Sequence, residues 1–407
     1  MPDSILVTIE TQVPTRVPIT ADGRRLIATR GLRGFADGLV AVSLSAYLGD
    51  QLGYSGARIG VIVTGMLLGS ALLTLLTGTV ASSIGRRQLL QLGAMLALGT
   101  GLIFATYSTF WILLVAGVIG TVNPTSGDVS VFQPIEQSVL PNTTTERGRS
   151  AVFARYTFAG ALFAAFGALV AGLPGRLGWS ADSVFVVYAV VAACALIVYS
   201  TLSVAVEGGA ANAPRPLGES RPVVYRLAAL FSLDAFGGGF VTQSLLALWL
   251  FRRHDFTLAN AGFVFAAMGV LSAASGFAAA RIERRLGPIR TMAFTHMPAQ
   301  VLLILAALMP NGTWAVICLL ARSLLASMDV PVRNAYVMSV VTPPERAAAA
   351  SVTNVPRSLA SALPPFAAGW MLDHTTFGWP LIIAGVAKLT YDVLLLRMFG
   401  KRDRSIH

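Results

Sequence analysis

The chain has 407 residues, 55% of them hydrophobic and only 12% charged, with a mean hydropathy of +0.69. A soluble domain of this size cannot cover its surface with so few charges, so the composition excludes a soluble enzyme or binding module and points to an integral membrane protein. The net charge of +11 would suggest nucleic acid in a soluble chain, but here its placement follows membrane topology, and no nucleic-acid partner is expected.

Residues 1–26 carry Asp3, Glu10 and Asp22 among prolines and threonines and lack the apolar core of a signal peptide. They read as a cytoplasmic N-terminal tail. Apolar runs of about 18 to 25 residues then recur, each long enough to cross a hydrocarbon core roughly 30 Å thick. They fall near 27–49, 57–81, 88–106, 110–140, 150–173, 181–205, 225–251, 258–280, 290–309, 313–341, 350–372 and 379–398. Assigning the loops alternately puts Arg24, Arg25, Arg30, Arg86, Arg87, Arg147, Arg149, Arg284, Arg285, Lys401 and Arg402 on one side. The other side has Arg58, Arg176, Arg252 and Arg253. The positive-inside rule makes both termini cytoplasmic. The expected organisation is a bundle at 27–205, a cytoplasmic linker at 206–224, a second bundle at 225–398 and a cytoplasmic tail at 399–407.

The first span places Arg33 and Asp37 four residues apart on one face. A carboxylate in lipid is expensive and usually faces a cavity, so Asp37 is a candidate on a water-filled path, although a self-neutralised pair near the membrane edge would fit the same spacing. Between the second and third spans lies a short link with Gly78, Ser82, Gly85, Arg86 and Arg87. Here the chain resembles the major facilitator superfamily, whose equivalent loop carries glycine, an acid, then glycine and basic residues. The acid position is Ser82 here, and Ala280 at the corresponding turn of the second half. In the family that acid pairs across the two halves and helps to hold the outward-open state. The resemblance covers nearly the whole chain. It implies an all-α fold of twelve transmembrane helices in two pseudo-symmetric six-helix bundles, a monomer in a bacterial cytoplasmic membrane, and Gly78, Gly85, Arg86 and Arg87 as a gating loop.

Span 4 holds Asn123, Pro124, Gly127, Asp128, Gln133, Pro134 and Glu136 within one crossing. Two prolines free backbone carbonyls, and a broken helix is tolerated at membrane depth only where protein or water satisfies them. This segment should face a central cavity, unless the span ends early and leaves Glu136 in the headgroup region. Gly160, Gly167 and Gly172 in span 5 suit close helix approach. The Gly-Pro signature that antiporters of the family carry in that helix is degraded, with Pro174 only at its end. The linker reads as a flexible tether without chemistry. Span 7 brings Asp234, the run Gly237-Gly238-Gly239 and Gln243, and three glycines in a row mark a bend or a close approach. Span 10 supplies Arg322, Asp329, Arg333 and Asn334, span 11 Arg357, and span 12 Lys388 and Asp392, a pair read as snorkelling from a lipid-facing helix. Drug-proton antiporters of the family carry a basic residue in span 4, which this span lacks; Arg322 stands in a loosely similar setting in span 10.

The two halves repeat. Asp128-Val129 answers Asp329-Val330, Ser138-Val139 answers Ser339-Val340 at the same spacing, and Glu146-Arg147 answers Glu345-Arg346. Duplication at half the chain length is what internal-repeat transporters show. Cys194 and Cys318 stand alone, so neither a disulfide nor a metal site is expected, and no glycine-lysine phosphate loop or nucleophile constellation is present to imply a cofactor, ATP or enzymatic chemistry. The expected function is transport of a small molecule across the cytoplasmic membrane by alternating access, as proton-coupled efflux of an organic compound. Asp37, Asp128 and Asp234 are the candidate proton carriers, with Arg322, Arg333 and Arg357 as partners. Arg33, Glu136, Asn123, Gln243, Asp329 and Asn334 complete the pathway set. Uptake or exchange of a metabolite or organic anion, and a non-transporting sensor, are the alternatives.

Overall fold

The computed structural model describes residues 19–125, 131–207, 217–342 and 345–400. Among them the regular structure is helical, apart from an isolated antiparallel bridge between Ile19 and Thr144. In chain order the helices are α1 Ala21–Ala46, α2 Gly56–Ile84, α3 Arg86–Thr106, α4 Phe110–Ile119, α5 Phe132–Val139, α6 Arg149–Val170, α7 Leu173–Arg176, α8 Ser183–Ser200, α9 Arg221–Gly239, α10 Gln243–His254, α11 Leu258–Leu286, α12 Pro288–Leu308, α13 Gly312–Ser323, α14 Asp329–Ser339, α15 Arg346–Ala362, α16 Pro364–His374 and α17 Trp379–Phe399.

Among the described residues, 8 stretches are long and apolar enough to cross a membrane. The other crossings are α1, which carries several charges, and the half-helix pairs α4–α5, α13–α14 and α15–α16, giving twelve crossings in two halves. Large apolar side chains such as Trp111, Phe163, Val190, Ile197 and Phe263 are exposed around the outside, the reverse of a soluble surface and the mark of a lipid-facing one. We call the side where α1 begins and α17 ends the terminal face, and the opposite side the distal face.

The first helix starts earlier than hydropathy alone implies, at Ala21, because the Thr20 side chain caps it by accepting from the Gly23 N–H. Helices α1 and α6 pack through glycine: a Cβ on Gly34 would stand 2.4 Å from the Gly160 carbonyl oxygen, one on Gly38 2.0 Å from that of Ala164, and one on Gly167 2.0 Å from that of Phe35. Backbone thus touches backbone along this seam, as small residues permit between membrane helices.

Span 4 is broken as its prolines require. α4 ends at Ile119, the chain is extended at Gly120, and helix resumes at Phe132. The freed Pro124 carbonyl accepts from the Ser244 N–H at 3.3 Å and from its hydroxyl at 3.1 Å, so the second half satisfies a break in the first. Asn123 Oδ1 accepts from the Thr125 N–H at 3.0 Å and from its hydroxyl at 2.7 Å. Span 7 is also interrupted, between Gly239 and Gln243. Further contacts between the halves gather toward the distal face, where α2 packs on α16 and α6 on α11, with Gly60 against Pro365 and Gly172 against Ala259.

The linker is anchored at both described ends rather than being free of chemistry. Glu207 accepts from the Arg86 N–H at 2.7 Å and the Arg87 N–H at 2.9 Å, capping α3. Glu345 accepts from the Gly218 N–H beside the start of α9. The Ser220 hydroxyl and the Gly218 N–H hold the Glu345 carboxyl below the usual carboxylate range. That contact is therefore complete above the usual carboxylate pKa and is lost as the pH falls through the lowered value.

Replacing Gly38 by leucine should destabilise the protein by about 1–3 kcal/mol or more through overpacking against α6. Denaturant titration in detergent measures it, with the lipid-exposed Val190→Ala as a control expected to change little.

Candidate functional site: two buried charge clusters

The first half gathers its charges around Glu136, which is 0% exposed. Its carboxylate accepts from Arg33 of α1, from Tyr156 of α6, from the Tyr199 hydroxyl of α8 at 2.7 Å and from the Thr29 hydroxyl at 3.0 Å. Arg33 also lies over the Phe132 ring, 4.3 Å from its centroid. Four donors from three helices surround a carboxylate that is fully buried inside the first bundle. The alternative of a self-neutralised Arg33–Asp37 pair is not what forms, because α5 brings the Glu136 carboxylate within direct reach of the guanidinium. Asp37 makes no hydrogen bond among the described residues; it lines a small cavity with Arg33, Thr121, Phe132 and Tyr188, within the electrostatic reach of Arg30 and Arg33.

The second half gathers its charges around Asp234 of α9. Lys388 of α17 donates to its Oδ1 at 2.6 Å, and Arg333 of α14 lies 3.5 Å from its Oδ2. Arg333 also bonds Asp329 at 3.2 Å, one turn back on the same helix. His296 of α12 closes the other flank: its Nε2 is 3.7 Å from Asp234, and its Nδ1 is 3.0 Å from both oxygens of Asp392. All six side chains are buried, and Arg322, half-buried at the end of α13, adds its field to Asp234 and Asp329. The run Gly237-Gly238-Gly239 makes this possible: a Cβ on Gly237 would stand 3.0 Å from Lys388 Cγ, and one on Gly239 2.3 Å from the Ser361 carbonyl oxygen. The glycines leave the slot through which Lys388 crosses α9 to reach Asp234.

Lys388 and Asp392 are thus not a snorkelling pair facing lipid. They are buried because α17 turns this face onto α12 and α9. His296 is not among the residues singled out from the sequence, and the signal that could have found it is its position inside the apolar run 290–309. The aromatic donors Tyr156 and Tyr199 and the capping residue Glu207 were not foreseen either. Asp128 lies outside the described residues, as do the side-chain surroundings of Gly78 and Ser82 in the last turns of α2. Arg357 is half-buried on α15, Gln243 opens α10, and Asn334 is exposed outside the cluster. Gly85 adopts φ 89°, and Arg86 and Arg87 at the start of α3 turn their N–H groups to Glu207.

These features define a polytopic helical membrane protein of two repeated halves, each with a fully buried ionic centre. The chain belongs to the Major Facilitator Superfamily, whose family profile matches residues 26–328. It is 24% identical to an uncharacterized membrane protein of Saccharomyces cerevisiae, YJR124C, over 95% of both chains. It is also 24% identical to a multidrug efflux protein of Bacillus subtilis, YfmO, over 90% of this chain and 89% of that one. Among solved structures it resembles the nucleoside transporter NupG, with a TM-score of 0.74 at 15% identity over 93% of this chain and 99% of that one. It also resembles a bacterial homologue of the lysosomal transporter Spinster, with a TM-score of 0.69 at 16% identity over 94% of this chain and 96% of that one.

Removing one partner of a buried ion pair strands the other charge and costs about 3–5 kcal/mol, whereas removing both costs far less. Asp234→Asn and Lys388→Met should each lower stability by that order, and the double variant should recover most of it. Unfolding of the three purified variants in detergent measures the cycle.

Proposed function

We propose that the protein is a secondary transporter that exports small organic molecules in exchange for protons, as a monomer whose halves rock about a midplane site with both termini in the cytoplasm. The observation that carries this reading is the position of His296. Its imidazole lies between two buried carboxylates, Asp392 and Asp234, and Asp234 in turn is shared by Lys388 and Arg333. An imidazole with a carboxylate at each nitrogen can take a proton on one side and release it on the other. A proton arriving at Asp234 weakens its hold on Lys388 and Arg333, and the freed cations must find other partners or water. That rearrangement couples protonation to movement of α9 against α14 and α17.

The balance of charge supports the same reading. Asp234, Asp329 and Asp392 face Arg333, Lys388 and Arg322, so three acids stand against three bases around His296. Asp37 is a second candidate carrier, since it faces a cavity rather than a bonded cation. The name of the Bacillus relative, a multidrug efflux protein, favours export of organic compounds. Closure of the halves at the distal face corresponds, with the termini cytoplasmic, to a state open toward the cytoplasm. The half-buried cations Arg322 and Arg357 favour a second reading, uptake or exchange of an organic anion.

The test uses purified protein in liposomes loaded with a pH-sensitive dye and challenged with organic cations, anions and neutral compounds. A pH change tied to one chemical class is expected. In His296→Gln and Asp392→Asn the proton signal should fall at least about ten-fold, while exchange of labelled compound across the membrane continues. Equilibration of a labelled compound with no pH change for any class would replace this reading by a uniporter or anion exchanger.

A further inference from the structure

Helix α2 begins at Gly56 on the distal face, and the first N–H groups of any helix lack partners within it. Here they are accounted for completely. The Arg58 N–H goes to the Ser55 hydroxyl at 3.3 Å, and the Ile59 N–H to the Ser55 carbonyl at 3.0 Å. The two earlier groups go to the other half of the molecule: Asp373, at the end of α16, accepts from the Gly56 N–H on Oδ1 at 2.5 Å and from the Ala57 N–H on Oδ2 at 2.7 Å. Arg252, near the end of α10, donates to the same Oδ1 at 2.9 Å and to the Leu372 carbonyl at 2.9 Å, so the carboxylate is held in position as well as bonded.

Packing commits the site to this arrangement. A Cβ on Gly56 would stand 2.5 Å from the Gly369 carbonyl oxygen, 2.9 Å from Asp373 Oδ1 and 3.0 Å from Arg252 Nη1. A negative charge at a helix N-terminus is favoured by the helix dipole, and charge-assisted bonds to backbone N–H groups are roughly twice as strong as neutral ones. The two Asp373 bonds to Gly56 and Ala57 and the packing of Gly56 on Gly369 cross between the halves and break when the distal ends of α2 and α16 separate, whereas the Ser55 and Arg252 bonds each lie within one half. At the opposite end of α2, the positions where an acid would serve the gating loop are Ser82, and Ala280 in the repeat.

We propose that Asp373 and Arg252 form a distal latch that biases the resting protein toward the distal-closed state. The carboxylate that ties the halves together thus stands on the distal face. The latch acts by population: its contacts exist in one conformation and are absent in the other, so their free energy sets the ratio of the two. The proposal rests on alternation between two states, but its test reads a distance and not flux. A protein that carried no cargo would still report it.

Spin labels at Thr109→Cys and Thr376→Cys, exposed on the distal loops of the two halves, report the opening in full-length protein whose Cys194 and Cys318 are replaced by alanine. Distances are measured by pulsed electron resonance in liposomes. The unmodified latch should give a predominantly short distance. Asp373→Ala should raise the ratio of long to short by about ten-fold, equivalent to about 1.4 kcal/mol. Arg252→Gln should shift it in the same direction by less, and this second variant keeps the cap should the first fold poorly. Asp182→Ala, which removes a half-buried carboxylate of the distal loops that bonds only the neighbouring Ser180 among the described residues, should leave the ratio unchanged. An unaltered distribution in both latch variants, or an equal shift in the Asp182→Ala control, would overturn the proposal.

Discussion

The cost of placing charge in hydrocarbon organises this molecule. A carboxylate or guanidinium in the bilayer must find partners inside the protein, and the two halves solve that problem with opposite signs. In the first, α1 carries the cation Arg33 and span 4 the acid Glu136; in the second, α9 carries the acid Asp234 and span 10 the cation Arg333. Arg33 and Asp234 stand at the same separation as the repeated aspartates Asp128 and Asp329, so the duplication kept an ionic contact between the same pair of helices while exchanging its polarity. Each arginine also leans on an aromatic ring, Phe132 in one half and Phe231 in the other, at 4.3 and 5.5 Å from the centroids.

The two centres differ in what they can do. Glu136 is surrounded by one cation and three hydroxyls and is the more fully satisfied. Such a site stiffens its bundle by tying α1, α5, α6 and α8 to one point. Asp234 instead shares its two oxygens among Lys388, Arg333 and His296, and that chain extends to Asp329 and Asp392. Its members come from α9, α12, α14 and α17, so a change of protonation at any one is felt by four helices. The first centre is suited to holding a bundle together and the second to rearranging one.

Much of the fold was legible in the sequence because its signals are local. Run length marked the crossings, Pro124 and Pro134 marked the break in span 4, and Gly237-Gly238-Gly239 marked a close approach whose partner proved to be Lys388. The site was only partly legible, because ion pairing is decided between helices distant in sequence. Arg33 with Asp37, and Lys388 with Asp392, are neighbours on their own helices, yet their direct bonds are to Glu136 and to Asp234 and His296. Spacing shows which residues share a face of a helix and not which helix that face meets. His296 was hidden for the same reason, since only the packing of α12 against α17 puts a carboxylate beside it.

The break in span 4 carries one more consequence. The Pro124 carbonyl is satisfied by Ser244, and the Ser45 hydroxyl reaches the Ser244 carbonyl, so one serine of the second half ties together α1 and the break in span 4 of the first. Any parting of the halves there would take from the carbonyl its donors, and an unsatisfied backbone group away from water costs several kcal/mol. Water or another protein donor would have to replace them. Separation of the halves at this level would therefore carry the cost of re-satisfying a single peptide group at their seam.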